Sequence, residues 1–236
     1  MTSPLIGIIT GLGVEAEILK PLEAKGLVRI GVAGASEKKA EALARQMASD
    51  GAQALLSFGI CGGLVPQVKI GDLVLADSVH HHRGHDWATD ESWRDAMLDA
   101  LTDRRDRRVR VHIGRLTGAA TIVHQPQAKR ALAHKADAIA VDMESHAVAE
   151  VADHLKLPLL VVRTCSDVVD HSLPIDALDA ISTDGNVRVM SATTRLAKKP
   201  WMIPPLVRLA LNTRRALKTL ERVVLAEDAL LRRSRA

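Results

Sequence analysis

The chain has 236 residues, 47% hydrophobic and 25% charged, the balance of a globular protein long enough for one large core or two small ones. Aromatic residues are scarce (one Phe, three Trp, no Tyr), so packing rests on Ala, Leu, Val and Ile, and a flat ligand has few rings to stack on. The net charge of +4 is uneven: residues 193–236 carry 11 Lys or Arg against 3 acids, a basic end on a faintly acidic body, which argues against a nucleic-acid-binding core.

In chain order, "LIGIITGLGVEAEIL" reads as a buried strand, a glycine turn and a helix start. "GLVRIGVAGA" gives a second strand, and "SEKKAEALARQMAS" a helix capped by Ser36. "GAQALLSFGICGGL" predicts a third strand followed by a glycine-rich loop, and "KIGDLVLADSVHH" another strand after a Gly-Asp turn. Residues 84–106 are polar with helical spacing, and residues 109–116 are strand-like. Then come a helix in "PQAKRALAHKA", a strand in "DAIAVDM", a helix in "SHAVAEVADHLK" and a strand in "LPLLVVRTCSD". Strands alternating with helices of about three turns predict parallel crossover units in a three-layer α/β domain. No linker marks a second domain.

Residues 206–224 form a two-faced helix. Leu206, Leu209, Ala210, Leu217, Leu220 and Val224 share one side, with Arg208, Arg214, Arg215, Lys218 and Arg222 on an adjoining arc. The pattern fits a terminal helix packed on the body, and it also fits one lying on an anionic membrane surface. Cys61 and Cys165 are the only cysteines and make no disulfide framework; with no apolar leader read at the start, the cytoplasm is the expected compartment.

The chemistry-bearing residues are few. "TGLGVEAE" lacks the third glycine of a dinucleotide fingerprint, and its Glu15 also suits the first turn of a helix. The four histidines of "HHHRGHD" point in different directions, so a solvated loop is expected there and no metal site. Serine-hydrolase elbows and phosphate-binding loops are absent. What remains is Glu15, Glu144 and Asp167, each following a strand-like segment, so a parallel sheet can bring them to one edge. Taken singly, each is an ordinary cap or surface acid. Together they suit cleavage of a glycosidic C–N bond: one acid protonates the leaving base, another orients water or sugar, and carboxylates offset the cationic sugar.

"FGICGGL…KIGDLVLAD", "AVDMESHAVAEVA" and "VVRTCSDVVD" resemble three signatures of the nucleoside phosphorylase and nucleosidase superfamily. Within it the chain is similar to methylthioadenosine/S-adenosylhomocysteine nucleosidases. It looks closer to the hopanoid-associated phosphorylases, through "TGLxxEA", "VDMESHAVA" and the Arg-rich last helix. The resemblance implies a three-layer α/β/α nucleoside phosphorylase-like fold with a central mixed sheet. Residues 1–200 are the catalytic domain, and 201–236 its basic amphipathic helical extension.

By the same resemblance Glu15 activates the attacking water, Met143 and Glu144 hold the ribose, and Asp167 protonates N7 of adenine with Ser166 beside it. Ile122 falls where backbone groups meet the base, and Gly62 and Gly63 at a tight turn below the sugar. The chain departs from the family at three places: Ile60 stands where many relatives have a serine near the ribose or phosphate, Ser57 where the bacterial hexameric phosphorylases have a phosphate-binding arginine, and Thr121 where the nucleosidases have a phenylalanine against adenine. The two missing phosphate contacts weigh toward hydrolysis. The implied reaction is adenine release from adenosylhopane, by hydrolysis or by phosphorolysis with inorganic phosphate as co-substrate, without metal or organic cofactor. The alternatives are a methylthioadenosine/adenosylhomocysteine nucleosidase of methionine salvage and a non-catalytic nucleoside-binding protein. A homodimer is the expected assembly, with peripheral membrane contact through the C-terminal helix and no nucleic-acid partner.

Overall fold

In the computed structural model, residues 5–81, 83–102, 109–173 and 203–231 are described. The strands are β1 Ile6–Thr10, β2 Val28–Val32, β3 Ala54–Gly63, β4 Leu73–His80, β5 Asp86–Ala88, β6 Val111–Gly118, β7 Ala140–Asp142 and β8 Leu159–Asp167. The helices are α1 Gly13–Glu23, α2 Glu37–Ser49, α3 Glu91–Thr102, α4 Pro126–Ala136, α5 Ser145–Leu155, α6 Ile203–Val224 and α7 Glu227–Leu231.

The strands form one mixed sheet in the order β2-β1-β3-β7-β6-β4-β5, with β8 bridging β3 and β4. β1 pairs in parallel with β2 and β3, β3 with β8, β4 with β6, and β6 with β7. The pairs β3/β7, β4/β8 and β4/β5 are antiparallel. Periodicity indicated the parallel crossover units, and the mixed sheet is the one the family resemblance implied. Strands β3, β8, β4, β6 and β7 close on themselves, and such a circuit mixes strand directions.

The pleat alternates inward residues between two apolar layers. Ile9, Leu55, Val74, Val161 and Cys165 pack against Ala40, Ala44 and Met47 of α2 and Ala147, Val148 and Val151 of α5. Ile8, Leu56, Phe58, Leu75 and Val162 face Leu19 and Leu22 of α1, Trp93 and Met97 of α3, Leu220 and Val223 of α6, and Leu230 of α7. This makes three layers, α/β/α. Burying each large side chain contributes about 1.5–3 kcal/mol, and β3 and β8 are buried over nearly their whole length because they sit between both layers.

Three local expectations are corrected. The glycines after "ALLSF" continue β3 and do not open a loop: Gly62 and Gly63 pair with Val141 and Ala140 of β7. A Cβ at Gly63 would stand 3.1 Å from Cys165 Sγ, so close packing and not a turn calls for glycine there. Residues 86–88 form an edge strand ahead of α3.

The third correction concerns the C-terminal helix. Its inner row is Asn212, Ala216, Thr219, Leu220, Val223 and Val224, all buried against the body. Thr164 Oγ1 donates to the Ala216 carbonyl at 3.2 Å, Thr219 Oγ1 to the Gly71 carbonyl at 2.8 Å, and Trp93 Nε1 to the Leu230 carbonyl at 3.1 Å. From Asn212 onward the helix's inner row is committed to the core, while Ile203, Val207 and Leu211 before it are exposed, and no helix among the described residues is long and apolar enough to cross a membrane. The expected membrane contact through this helix is withdrawn. The proposed division at residue 200 falls in 174–202, outside the described residues.

Candidate active site

The acids lie where β1, β3, β7 and β8 end. Glu15 is in the first turn of α1 and almost fully buried. Its Oε2 accepts from the Gly11 and Leu12 amides at 2.9 and 2.8 Å, and its Oε1 from the Ile60 amide at 2.8 Å. Glu15 thus caps its helix, as its place in the first turn suggested, and also reaches β3. Burial raises its pKa against the pull of Arg163 and of these amides.

Glu144 lies between β7 and α5, at the N-cap of α5. Its carboxylate packs on Gly11, where a Cβ would come within 3.0 Å of Oε1. Burial pushes its pKa up to about 8, opposed by Arg163 and reinforced by Asp142 and Glu15.

The side chain that gathers these acids is Arg163, 1% exposed in the middle of β8. Its Nη2 lies 2.7 Å from Asp142 Oδ2 and 3.5 Å from Glu144 Oε2, and donates to Ser57 Oγ at 2.6 Å. Its Nε donates to Ser145 Oγ at 3.3 Å. Burial works against the guanidinium's charge, but Asp142, Glu144 and Glu15 outweigh it and raise its pKa. Asp142 also accepts from the Ser145 amide at 3.2 Å and from its hydroxyl. Gly59 gives this cluster room: a Cβ there would lie 2.7 Å from Arg163 Nη1 and from Glu15 Cδ.

Asp167 ends β8, four residues beyond Arg163, and lies across β3 from β7. The β3/β8 register runs Cys61 to Cys165 and then jumps to Gly62 opposite Asp167, leaving Ser166 as the extra residue of a bulge. Ser166 Oγ donates to the Cys61 carbonyl at 3.3 Å. Asp167 Oδ2 accepts from the buried ammonium of Lys129, from α4. Burial still raises the Asp167 pKa, against Lys129, His171 and Arg208.

The remaining predicted residues divide. Gly62 lies on β3 between Val141 and Asp167, so it stands at the site but in a strand. Met143 is half-buried between Asp142 and Glu144. Ile122 and Thr121 are exposed in the loop between β6 and α4. Ser57 is fully buried and committed to Arg163 and to Ser145 Oγ at 2.9 Å.

Arg163, Asp142, Ser145 and Lys129 had no assigned role in the sequence reading. A single cation inside the apolar run "LLVVRTCS" was the available signal for Arg163. Lys129 gave none, being one of several cations on an amphipathic helix.

The histidine loop is exposed at residues 83–86, as expected, but His81 departs from that expectation. His81 is only 4% exposed, 3.6 Å from Glu37 Oε1, with His146 Nε2 3.4 Å from Oε2 of the same carboxylate. The two rings meet edge to face at 5.0 Å. The Arg83 amide donates to His81 Nδ1 at 2.9 Å, which puts the His81 proton on Nε2, facing Glu37. His82 lies outside the described residues. An open cleft of about 550 Å³ borders Gly34, Ser36, Glu37, Lys38, Lys39 and Ala120; none of Glu15, Glu144 and Asp167 lines it.

Residues 27–198 match the family profile described as the phosphorylase superfamily. The chain belongs to that superfamily. Among curated members, it is 26% identical over 162 residues to a 5′-methylthioadenosine/S-adenosylhomocysteine nucleosidase of Mycobacterium tuberculosis, covering 53% of this chain and 63% of the relative. It is 26% identical over 139 residues to the nucleosidase of the same name from a Shewanella species, covering 52% and 58%. The chain thus spans less than two thirds of these relatives. Among solved structures, futalosine hydrolase of Helicobacter pylori superposes with a TM-score of 0.69 at 17% identity, covering 95% of this chain and 97% of that one. The H. pylori 5′-methylthioadenosine/S-adenosylhomocysteine nucleosidase gives 0.67 at 17%, covering 95% and 99%. These two likenesses establish the three-layer superfamily fold.

Proposed function

We propose that the protein is an N-glycosyl hydrolase that releases adenine from 5′-substituted adenosines of the methylthioadenosine and S-adenosylhomocysteine class. The observation that carries this reading is the burial of three acids at adjoining strand ends, each with proton affinity raised by its surroundings. A carboxyl whose proton affinity is raised gives and takes a proton closer to working pH than an ordinary carboxylate does.

As the C1′–N9 bond lengthens, its electron pair moves into the purine and Asp167 delivers a proton to N7. The Glu144 carboxyl shares hydrogen bonds with the ribose hydroxyls beside Met143, and the negative field of Asp142 and of Glu15, the group that takes the water's proton, favours the developing sugar cation. Water adds to C1′ and its proton passes to Glu15. Ser166 fixes the bulge that presents Asp167, and the Ile122 backbone faces the base. Ser57 is already engaged by Arg163 and Ser145, so it is not free for an incoming phosphate; this supports water as the nucleophile.

The resemblance to hopanoid-associated phosphorylases names a finer substrate, adenosylhopane, which the same assay addresses. Adenine release would be measured from methylthioadenosine, S-adenosylhomocysteine and adenosylhopane, with and without phosphate. Phosphate-independent release from the first two is expected. Release from adenosylhopane alone would move the substrate to the lipid, a strict phosphate requirement would overturn hydrolysis, and no adenine from any of the three would refute the proposal.

A further inference from the structure

We propose that Lys129 is a positioning residue for base protonation: it holds Asp167 through Oδ2 and ties that acid to the loop bordering the base. The inference rests on the reading of Asp167 as the acid of the reaction.

Lysine is almost never fully buried without partners, and Lys129 is completely buried on a helix whose neighbour Arg130 is exposed. An ammonium has three protons to donate. All three are used: one by Asp167 Oδ2, one by the Val168 carbonyl at 2.9 Å and one by the His171 carbonyl at 2.9 Å. The two carbonyls belong to the segment that follows Asp167, so Lys129 fastens residues 167–171 to α4. Arg130 pairs with Asp170, and the Leu173 amide donates to the His124 carbonyl at 3.0 Å. The loop of residues 119–125, with Ile122, leads directly into α4. Acid and base-facing loop therefore move as one body.

A structural anchor needs only the two carbonyls. The third bond has an electrostatic effect. With Oδ2 taken, Oδ1 is the oxygen left to carry the proton toward the base. When that proton leaves, the carboxylate is stabilised by a cation already in place, with no reorganisation at the moment of transfer. Other charged or titratable groups around Asp167 are His171 on its own segment, Arg208 from α6, and the thiols of Cys61 and Cys165. Burial pushes both thiols up, Cys61 well above its usual range and Cys165 to about 12, so they stay neutral through the working range. His171 and Arg208 are unchanged in every variant compared below.

The test is the pH profile of kcat for adenine release by the full chain and by Lys129→Met, Lys129→Gln and Lys129→Arg. Activity falls on the alkaline side as Asp167 loses its proton. Removing the cation destabilises the carboxylate, so in the Met variant this limb moves to higher pH by about 1–3 units, and kcat drops by about 100-fold or more. The Arg variant keeps the charge and leaves the limb in place, with a lower kcat from altered reach. The Gln variant replaces the Met variant if the latter does not fold, and its limb moves in the same direction. A folded Met or Gln variant with its limb at the wild-type position overturns the proposal. If the wild type releases no adenine, the functional reading fails, and carbon NMR titration of the Asp167 carboxyl still decides the role of Lys129. An upward shift without the lysine upholds it, and an unmoved titration refutes it.

Discussion

Replacing Glu144 by Gln should change how stability depends on pH as well as activity. The carboxyl is buried, and its surroundings push its pKa from 4.5 up to about 8. Between those values the folded protein keeps a proton that the unfolded chain has released. The contribution of Glu144 to stability therefore falls as pH rises, by about 1.4 kcal/mol per pH unit. This contribution is complete below the ordinary value and is lost as the pH passes the folded one. From about pH 5 to about pH 7.5 it amounts to about 3 kcal/mol. The amide keeps the shape of the protonated acid and has no such proton, so the variant's curve lacks this slope. Arg163 retains Asp142 at 2.7 Å, and Glu15 is present in both proteins. Urea unfolding of both chains across this range, read by the fluorescence of the fully buried Trp93, gives the two slopes. The variant should gain on the wild type as pH rises while its adenine release falls at least about 100-fold. Parallel stability curves would refute the argument that burial governs Glu144.

Gly59→Ala pushes a methyl to 2.7 Å from two groups held by other bonds, so it should cost about 1–3 kcal/mol and most of the activity; thermal unfolding and adenine release check both. Leu220→Ala empties a fully buried place between α6 and the sheet and should cost about 2–5 kcal/mol with kcat unchanged at a temperature where the variant is folded. A stability loss below about 1 kcal/mol would mean the helix is held mainly by other contacts.

Periodicity and turn residues made most of the elements legible. Ser36 caps α2, its Oγ accepting from the Lys39 amide at 3.4 Å, and "LPLLVVRTCSD" is β8. Glu15, Glu144 and Asp167 were visible as acids following strands, but the arrangement around them was not. A strand pattern says which face a residue takes and nothing about which strand becomes its neighbour, so the antiparallel β3/β7 and β4/β8 pairs went unread. For the same reason Arg163 had no partners in sequence: Ser57 and Asp142 are 106 and 21 positions away. "FGICGG" looked like a loop because glycine is poor in strands. Only the close approach of Val141 and Cys165 explains its place in β3. The basic face of α6 was correctly seen, but whether its other face met lipid or protein depended on a groove that no local pattern records.

The five-strand circuit also sets the order of assembly. β3 ends at Gly63 and has to wait for β8, whose last residue is Asp167, before its far side is paired. Contacts this distant in sequence form slowly, because the chain must close a long loop before any bond compensates it. A nascent chain emerging from the ribosome can form β1, α1, β2 and α2 early, yet of the three site acids it holds only Glu15 until residues 142–167 have been made. No shortened chain ending before β8 can carry the proposed chemistry. The acids come together in the same step that closes the ring, so a protein stalled during synthesis presents Glu15 alone, without Arg163 to balance it.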